Sequence, residues 1–220
     1  MMKRVCVLTG DIIASKKASA TALEAAFKAL SDGAERLERW WPKLAPSRFT
    51  RYRGDGWHVI VSDASRSLRS AVYLTARLRQ ADTGLSTRIA IGIGSVSRVG
   101  LDNLSDARGA AFELSGQSLD EMKRGEIMTI TGDGVTPLHK AIIALAAERA
   151  SRWSREQAEA VALCMTSDVL TQSEAAQQLG ISDQAISARL SSAGYSSIMT
   201  AVNQWEAYSS FSGARQGVRT

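Results

Sequence analysis

The stretch Arg48-Phe49-Thr50-Arg51-Tyr52-Arg53-Gly54-Asp55-Gly56-Trp57-His58-Val59-Ile60-Val61 decides the fold. Its first half alternates aromatic with basic residues, its second half is rich in β-branched and aromatic ones, and Gly54-Asp55-Gly56 supplies a turn between them. That pattern predicts a β-hairpin. Working outward, three more β-rich runs stand at 4–8, 87–93 and 127–130, separated by helical periodicity over 21–41, 64–80 and 109–123. The order is β-α-β-β-α-β-α-β. It predicts an α+β chain with a ferredoxin-like βαββαβ(αβ) antiparallel sheet, covered by helices on one face. In that plan the first strand lies beside the third, so Asp11, just past the first run, becomes a neighbour of Asp55 in the hairpin turn.

After Gly132-Asp133-Gly134-Val135-Thr136-Pro137 no strand signal recurs, and Ala, Gln, Ser and Leu follow at helical spacing. The expected boundary separates a sheet domain, 1–135, from a helical domain, 136–220, whose core is 153–205. Within it, 171–190 reads as a helix-turn-helix. Ala176 is small at the crossing, Leu179, Ile181, Ile186 and Leu190 supply a shared core, Gly180 suits a left-handed helix end, and Ser182 is a good N-cap. If the second helix enters a major groove, Gln172, Ser182, Asp183, Gln184, Ser187 and Arg189 are the residues expected to meet duplex DNA, Gln pairing with adenine and Arg with guanine. The residues after Tyr208 have little apolar content and are expected to fray.

Composition narrows the class. With 45% hydrophobic and 22% charged residues the chain has ordinary globular composition. No apolar run approaches the ~20 residues of a membrane span, and the opening residues reach an acid too early for a secretory signal, so a cytoplasmic location is expected. Cys6 and Cys164 are read as buried small hydrophobes of a reducing compartment. His58 and His139 lack metal-ligand spacing and are read as structural, and Gly92 and Gly94 fall inside a strand, which excludes a dinucleotide-binding loop. The net charge of +5 is uneven: 136–220 holds 7 Lys and Arg against 7 Asp and Glu, so the excess lies in the sheet domain. A neutral helix-turn-helix binds phosphates weakly unless dimerised or helped by that basic domain.

Two carboxylates at a strand end are a common way to hold a divalent cation with a triphosphate, which makes Asp11 and Asp55 the candidate metal ligands, with Mg2+ or Mn2+ the expected ion. Gly10, Ile12, Ile13, Ala14, Ser15, Lys16 and Gly54 surround them and form the candidate nucleotide site: the amides of 12–15 are expected to face phosphates, and Lys16 or Lys17 to neutralise them.

Those residues carry a resemblance. Leu8-Thr9-Gly10-Asp11-Ile12-Ile13-Ala14-Ser15-Lys16, then 53–57, 88–94 and 109–116, resemble the SatD family, which joins such a domain to a C-terminal helix-turn-helix. More distantly, the series resembles class III nucleotidyl cyclases, whose palm-like sheet carries two metal-binding aspartates; Asp11 and Asp55 occupy the matching places, and Gly94 matches a glycine after the Arg-initiated strand. The cyclase pattern continues to an Asn and an Arg that handle the ribose and the transition state, and here those places hold Glu113 and Gln117, with Arg108 nearby. Without that cation phosphoryl chemistry loses electrostatic stabilisation. The sequence therefore favours a DNA-binding regulator whose palm-like domain senses a metal-nucleotide. The alternatives are a nucleotidyl cyclase or related nucleotidyltransferase with a helical docking domain, and a catalytically dead scaffold. Monomer and homodimer both stay open.

Overall fold

The computed structural model describes residues 4–41, 48–52, 54–97, 104, 107–166 and 170–208 and is a mixed α+β structure. Arg53 and the tail after Tyr208 lie outside the described residues. Strands β1 (Val5–Ile13), β2 (Phe49–Tyr52), β3 (Gly56–Val61), β4 (Ser86–Gly94) and β5 (Met128–Gly132) make one sheet in the order β2-β3-β1-β4-β5. Every neighbouring pair is antiparallel except β4 and β5. The α-helices are α1 (Ala20–Trp40), α2 (Ser67–Gln80), α3 (Ala110–Asp120), α4 (Pro137–Ser151), α5 (Arg155–Cys164), α6 (Gln172–Leu179), α7 (Asp183–Ala193) and α8 (Tyr195–Tyr208). The first strand lies beside the third, as the element order predicts, and the fourth flanks its other side.

Period-two alternation sorts the sheet into two faces. Cys6, Leu8 and Ile12 of β1, Trp57, Val59 and Val61 of β3, and Ile89, Ile91 and Ile93 of β4 join the core with α1 and α2. The opposite face departs from the expected one-sided cover, because α3 packs on it. Ala111 of α3 clusters with Val7 and Ile60, and Leu119 with Ala90. Gly92 allows this: a Cβ there would stand 2.2 Å from the Ala111 carbonyl oxygen. A further correction concerns β1, which continues through Thr9-Gly10-Asp11-Ile12-Ile13 and does not end at Leu8. Gly and Asp are poor strand formers, but ladders on both sides override that preference.

The middle of the sheet is tied by one buried chain of contacts. The Trp57 ring, fully buried, fills the space beside Gly10, where a Cβ would lie 2.4 Å from the indole. Its Nε1–H donates to Thr87 Oγ1 at 3.0 Å, and that hydroxyl donates to the Asp11 carbonyl at 2.7 Å. Strands β3, β4 and β1 are thereby joined through side chains as well as ladders.

A second chain crosses the α3 face. Ser115 Oγ lies 3.0 Å from the Phe112 carbonyl and 2.6 Å from Thr9 Oγ1, which is 2.9 Å from His58 Nδ1. A carbonyl only accepts, so Ser115 donates to it, Thr9 donates to Ser115, and the His58 Nδ1–H donates to Thr9. Burial holds His58 neutral, lowering its pKa to about 4.

The helices after β5 share the core of the sheet. Ile143, Ala147, Ala158, Val161, Ile186, Leu190 and Val202 belong to the hydrophobic cluster that contains α2. Glu206 of α8, with a side chain 13% exposed, accepts from Arg66 and from Arg69 of α2, and the Trp205 indole N–H donates to Ser67 Oγ at 3.1 Å.

Two outcomes follow. Gly10→Ala must displace a buried indole and costs about 3 kcal/mol in urea unfolding, whereas Gly116→Ala, in α3 with open space around its Cα, gains about 0.5–1 kcal/mol from helix propensity. Because the folded-state pKa of His58 lies below its unfolded value, the unfolded chain binds more protons between about pH 6.5 and 4. Stability from this group is complete above that window and falls with pH through it, by at most about 1.4 kcal/mol per pH unit. His58→Gln removes that part of the slope, measured as the difference between the two stability-pH curves.

Candidate functional site

Register places the two aspartates. Asp11 stands opposite Gly56 on β3 and opposite Arg88 on β4, and the Ile12 N–H donates to the Asp55 carbonyl at 3.1 Å. Main-chain bonding thus brings Asp55, in the β2–β3 turn, against the end of β1. Gly54 provides the turn with φ 75°, in the left-handed region where glycine is unstrained.

Neither carboxylate is bare. Arg88 Nε donates to Asp11 Oδ1 at 3.0 Å and Arg88 Nη2 donates to Oδ2, a two-pronged pair whose side chains are 33% and 25% exposed. The hydrogen bond to Asp11 raises the guanidinium pKa above its ordinary value; desolvation opposes it, and the charges of Asp11, Asp120 and Asp55 each add a smaller upward push. Asp55 accepts a hydrogen bond from the Ser15 hydroxyl. The site is a partly exposed patch in which the Arg88 guanidinium lies in the field of three carboxylates.

The turn leaving β1 is strained. Ala14 has φ 61° and ψ 22°, left-handed geometry that costs a non-glycine residue roughly 1 kcal/mol or more, and it opens one 3-10 turn at Ser15–Lys17. This conformation aims Ser15 back at Asp55.

The nucleotide-site residues named from sequence divide. Ile13, Ala14, Ser15 and Gly54 lie around the two aspartates, and Lys16 and Lys17 are exposed on the adjoining turn. Gly10 and Ile12 face the other way, into the core, and the Ile12 amide is occupied by the Asp55 carbonyl rather than open to a phosphate. The expected row of phosphate-facing amides from 12 to 15 is therefore interrupted at its first member. Arg88 received no role from sequence. Its signal was available in the same alternation: on β4 it faces opposite to Ile89, the same way as Asp11. Glu113 and Gln117 are both exposed on α3, where Gln117 donates to Glu121.

His139 is structural, as expected: its Nδ1 accepts the Thr136 N–H in the box that caps α4. The two cysteines are free, Cys6 buried and Cys164 partly so.

In the C-terminal part, α6 and α7 meet at a tight turn. Gly180 has φ 64°, the Ile181 N–H donates to the Ala176 carbonyl at 3.0 Å, and Ser182 Oγ accepts from the Ala185 N–H at 3.2 Å. Ala176, Ile186 and Leu190 are buried there. Gln172, Asp183, Gln184 and Ser187, with Ala188 and Ser191, line an open groove of about 600 Å³, and Ser182 is exposed but does not line it. Arg189 does not join them. Its Nη1 is 3.0 Å from Glu159 Oε2 of α5, because its position borders the buried Ile186–Leu190 stripe. The groove holds a carboxylate, Asp183, and no cation among the described residues.

Among the described residues no helix is long and apolar enough to cross a membrane, and no cluster of three or more His, Cys, Asp or Glu side chains is placed to hold a metal. No family model matches the chain, and no curated protein matches it. Among solved structures, the chain is similar to the adenylyl cyclase CyaB from P. aeruginosa, at 17% identity and a TM-score of 0.39, over 60% of this chain and 78% of that one. It is also similar to the guanylyl cyclase Cya2, at 15% identity and a TM-score of 0.34, over 62% of this chain and 83% of that one.

Proposed function

We propose that this protein binds a nucleoside triphosphate through a divalent cation, Mg2+ or Mn2+, held by Asp11 and Asp55, and that it is a nucleotidyl cyclase or a related nucleotidyltransferase. The observation that carries the reading is the juxtaposition of the two aspartates by the Ile12–Asp55 main-chain bond and the Asp11–Gly56 register. The donor set suits such an ion. Two carboxylates are hard oxygen ligands, and Mg2+ commonly takes one or two of them while phosphate oxygens and waters complete its shell. Bound there, the cation supplies Lewis-acid neutralisation of phosphate charge. Ser15 orients Asp55, and exposed Lys16 and Lys17 add positive potential beside the phosphates. The resemblance of 8–16 and 53–57 to class III cyclases supports the same assignment.

A second reading is that of a regulator in which α6 and α7 act as a DNA-reading helix-turn-helix, as in the SatD-like arrangement, within a helical domain beginning near residue 136. The Gly180 turn and the Ser182 cap favour it. The uncharged-to-acidic groove speaks for weak affinity, since phosphate neutralisation supplies most non-specific binding. In both readings nucleotide is bound at the same place; a scaffold without ligand is what remains if none binds.

Calorimetric titration of ATP and GTP, with and without Mn2+, tests the first reading. Asp11→Asn and Asp55→Asn each remove most metal-dependent binding, and Asp11→Asn also lowers the thermal midpoint modestly by breaking the Arg88 pair; equal binding by all three proteins removes the site. A cyclic or linked product from wild type that disappears in Asp11→Asn establishes turnover. For the second reading, selection from random duplexes enriches a sequence whose binding Gln184→Ala weakens by about 1–3 kcal/mol, while Arg189→Ala acts on stability through Glu159. Failure to enrich any sequence, with no salt-dependent binding to bulk duplex, eliminates DNA as the partner.

A further inference from the structure

On the face of the sheet turned away from Asp11, the contacts between α1 and α2 fix a register. A Cβ on Gly33 would lie 2.9 Å from Leu74 Cδ2 and 3.4 Å from Arg77 Cγ, so the small residue lets the stem of Arg77 lie against α1. Farther along, the Trp40 ring meets the Tyr73 ring at a centroid distance of 4.4 Å, and the Arg66 guanidinium lies 5.2 Å from the Trp41 ring centroid. Chain order thus rises on α1 as it falls on α2. Gly33, Arg36 and Trp40 share one side of α1 at helical spacing, which sets Arg36 at the level between Arg77 and Tyr73. Arg39 follows on the same flank.

These side chains form a cluster of cations around one phenol. Burial raises the Tyr73 pKa above its ordinary value, and the charges of Arg77, Arg36 and Arg39 act against that rise. The other arginines on and beside α2 have oxygen acceptors: Arg66 and Arg69 have Glu206, and Arg79 has the Ser151 carbonyl. Arg36 and Arg77 have no ion-pair partner among the described residues. The carboxylates on that flank are committed elsewhere, Asp32 to Lys28 at 2.8 Å and Glu35 to Arg39 at 4.0 Å. In addition, Arg77 Nε is buried with no hydrogen-bond acceptor. Held cations that repel one another and a sealed donor without an acceptor are both unfavourable, and both are relieved by an anion.

We propose that Arg36, Arg39 and Arg77, held around Tyr73 between α1 and α2, form a binding site for a compact phosphate polyanion, separate from the Asp11–Asp55 site and independent of metal. The guanidinium forks match phosphate oxygens in pairs, and three of them balance a charge of two or more. Convergence from two helices onto one hydroxyl suits a small ligand. An extended polyanion running along α1 would instead meet Asp32 and Glu35, both on the Arg39 flank. Arg77 is anchored by its stem on Gly33, while Arg36 and Arg39 are exposed and close over the ligand from the solvent side.

Inorganic pyrophosphate and orthophosphate are titrated by calorimetry into the full chain in EDTA, which removes any metal-dependent binding at Asp11 and Asp55. Wild type binds both, and pyrophosphate more tightly. Arg77→Gln weakens pyrophosphate binding about tenfold or more and Arg36→Gln about three- to tenfold, as expected for lost charge-assisted contacts. Arg77→Lys keeps the charge, loses the fork and recovers part of the binding. Arg124→Gln, the same charge change at an exposed position between α3 and β5, alters it by less than about twofold. Circular dichroism certifies each variant as folded.

No pyrophosphate binding by wild type at millimolar concentration overturns the proposal, as does binding that Arg77→Gln and Arg36→Gln leave unchanged. A loss of equal size in Arg124→Gln also overturns it, because the attraction is then the net charge of the chain. A short single-stranded oligonucleotide is titrated in parallel: binding that depends on Arg36 and Arg77 and that pyrophosphate does not displace rejects the compact site in favour of an extended nucleic-acid surface.

Discussion

Everything near the two aspartates depends on how closely three strands are drawn together behind them. The Trp57 indole lies where any side chain on residue 10 would stand, and its N–H reaches through Thr87 to the main-chain carbonyl of Asp11. These groups are buried, so each hydrogen bond is made in a medium where leaving it unmade costs about 1–3 kcal/mol. The carbonyl of Asp11 is thus held from the core side while its carboxylate emerges on the other face. Period two converts one buried anchor into one directed acid. Because Thr87 and Arg88 are consecutive on β4, the same alternation that sends Thr87 inward sends Arg88 outward to meet Asp11.

The other face of the sheet is built on smallness and on a directed chain of hydroxyls. Gly92 lets the backbone of α3 settle against β4, and Ser115 on that helix continues to Thr9 and His58. The helix therefore covers one part of the face and stops short of Asp11, whose side chain stays a quarter exposed. A face covered throughout would have buried both aspartates and forced them to be protonated or paired. A bare face would have left Asp11 in water, where its interaction with Arg88 is screened. The intermediate exposure lets the pair form without full desolvation of either partner.

The hairpin, the order of elements and the adjacency of first and third strands could be read from sequence because they rest on local signals, Gly54-Asp55-Gly56 and alternation, combined with a topological rule. The length of β1 could not. Thr9-Gly10-Asp11 reads locally as a turn, and only the ladders from β3 and β4 hold it extended, a tertiary effect that no window of residues contains. The same ladders remove Ile12 from the set of phosphate-facing amides, by committing its N–H to Asp55. The pairing of Arg88 with Asp11 needs the register of β4 on β1, which hydrophobic pattern restricts to one face but does not number. Arg189 is a different case. Its place three residues after Ile186 and one before Leu190 puts it beside the buried stripe of α7, so its inward pairing was partly readable, although its partner Glu159 was not.

The charge of the chain also takes its meaning from structure. The excess of Lys and Arg in the first 135 residues suggested a basic surface that could assist a neutral helical part in holding phosphates. Several of those cations are instead committed to holding the molecule together. Arg66 and Arg69 converge on Glu206 of α8, Arg69 also donates to the Met165 carbonyl, Arg79 donates to the Ser151 carbonyl, and Arg51 pairs with Glu24 while its guanidinium lies over Phe27. Helix α2 is in this sense an arginine face that fastens the C-terminal helices to the sheet. A guanidinium with a buried carboxylate or carbonyl partner gives up that interaction before it can serve a nucleic acid, so formal charge overstates the phosphate affinity of this surface. Arg88 differs from these in that Asp120 and Asp55 act on it as well as its direct partner Asp11.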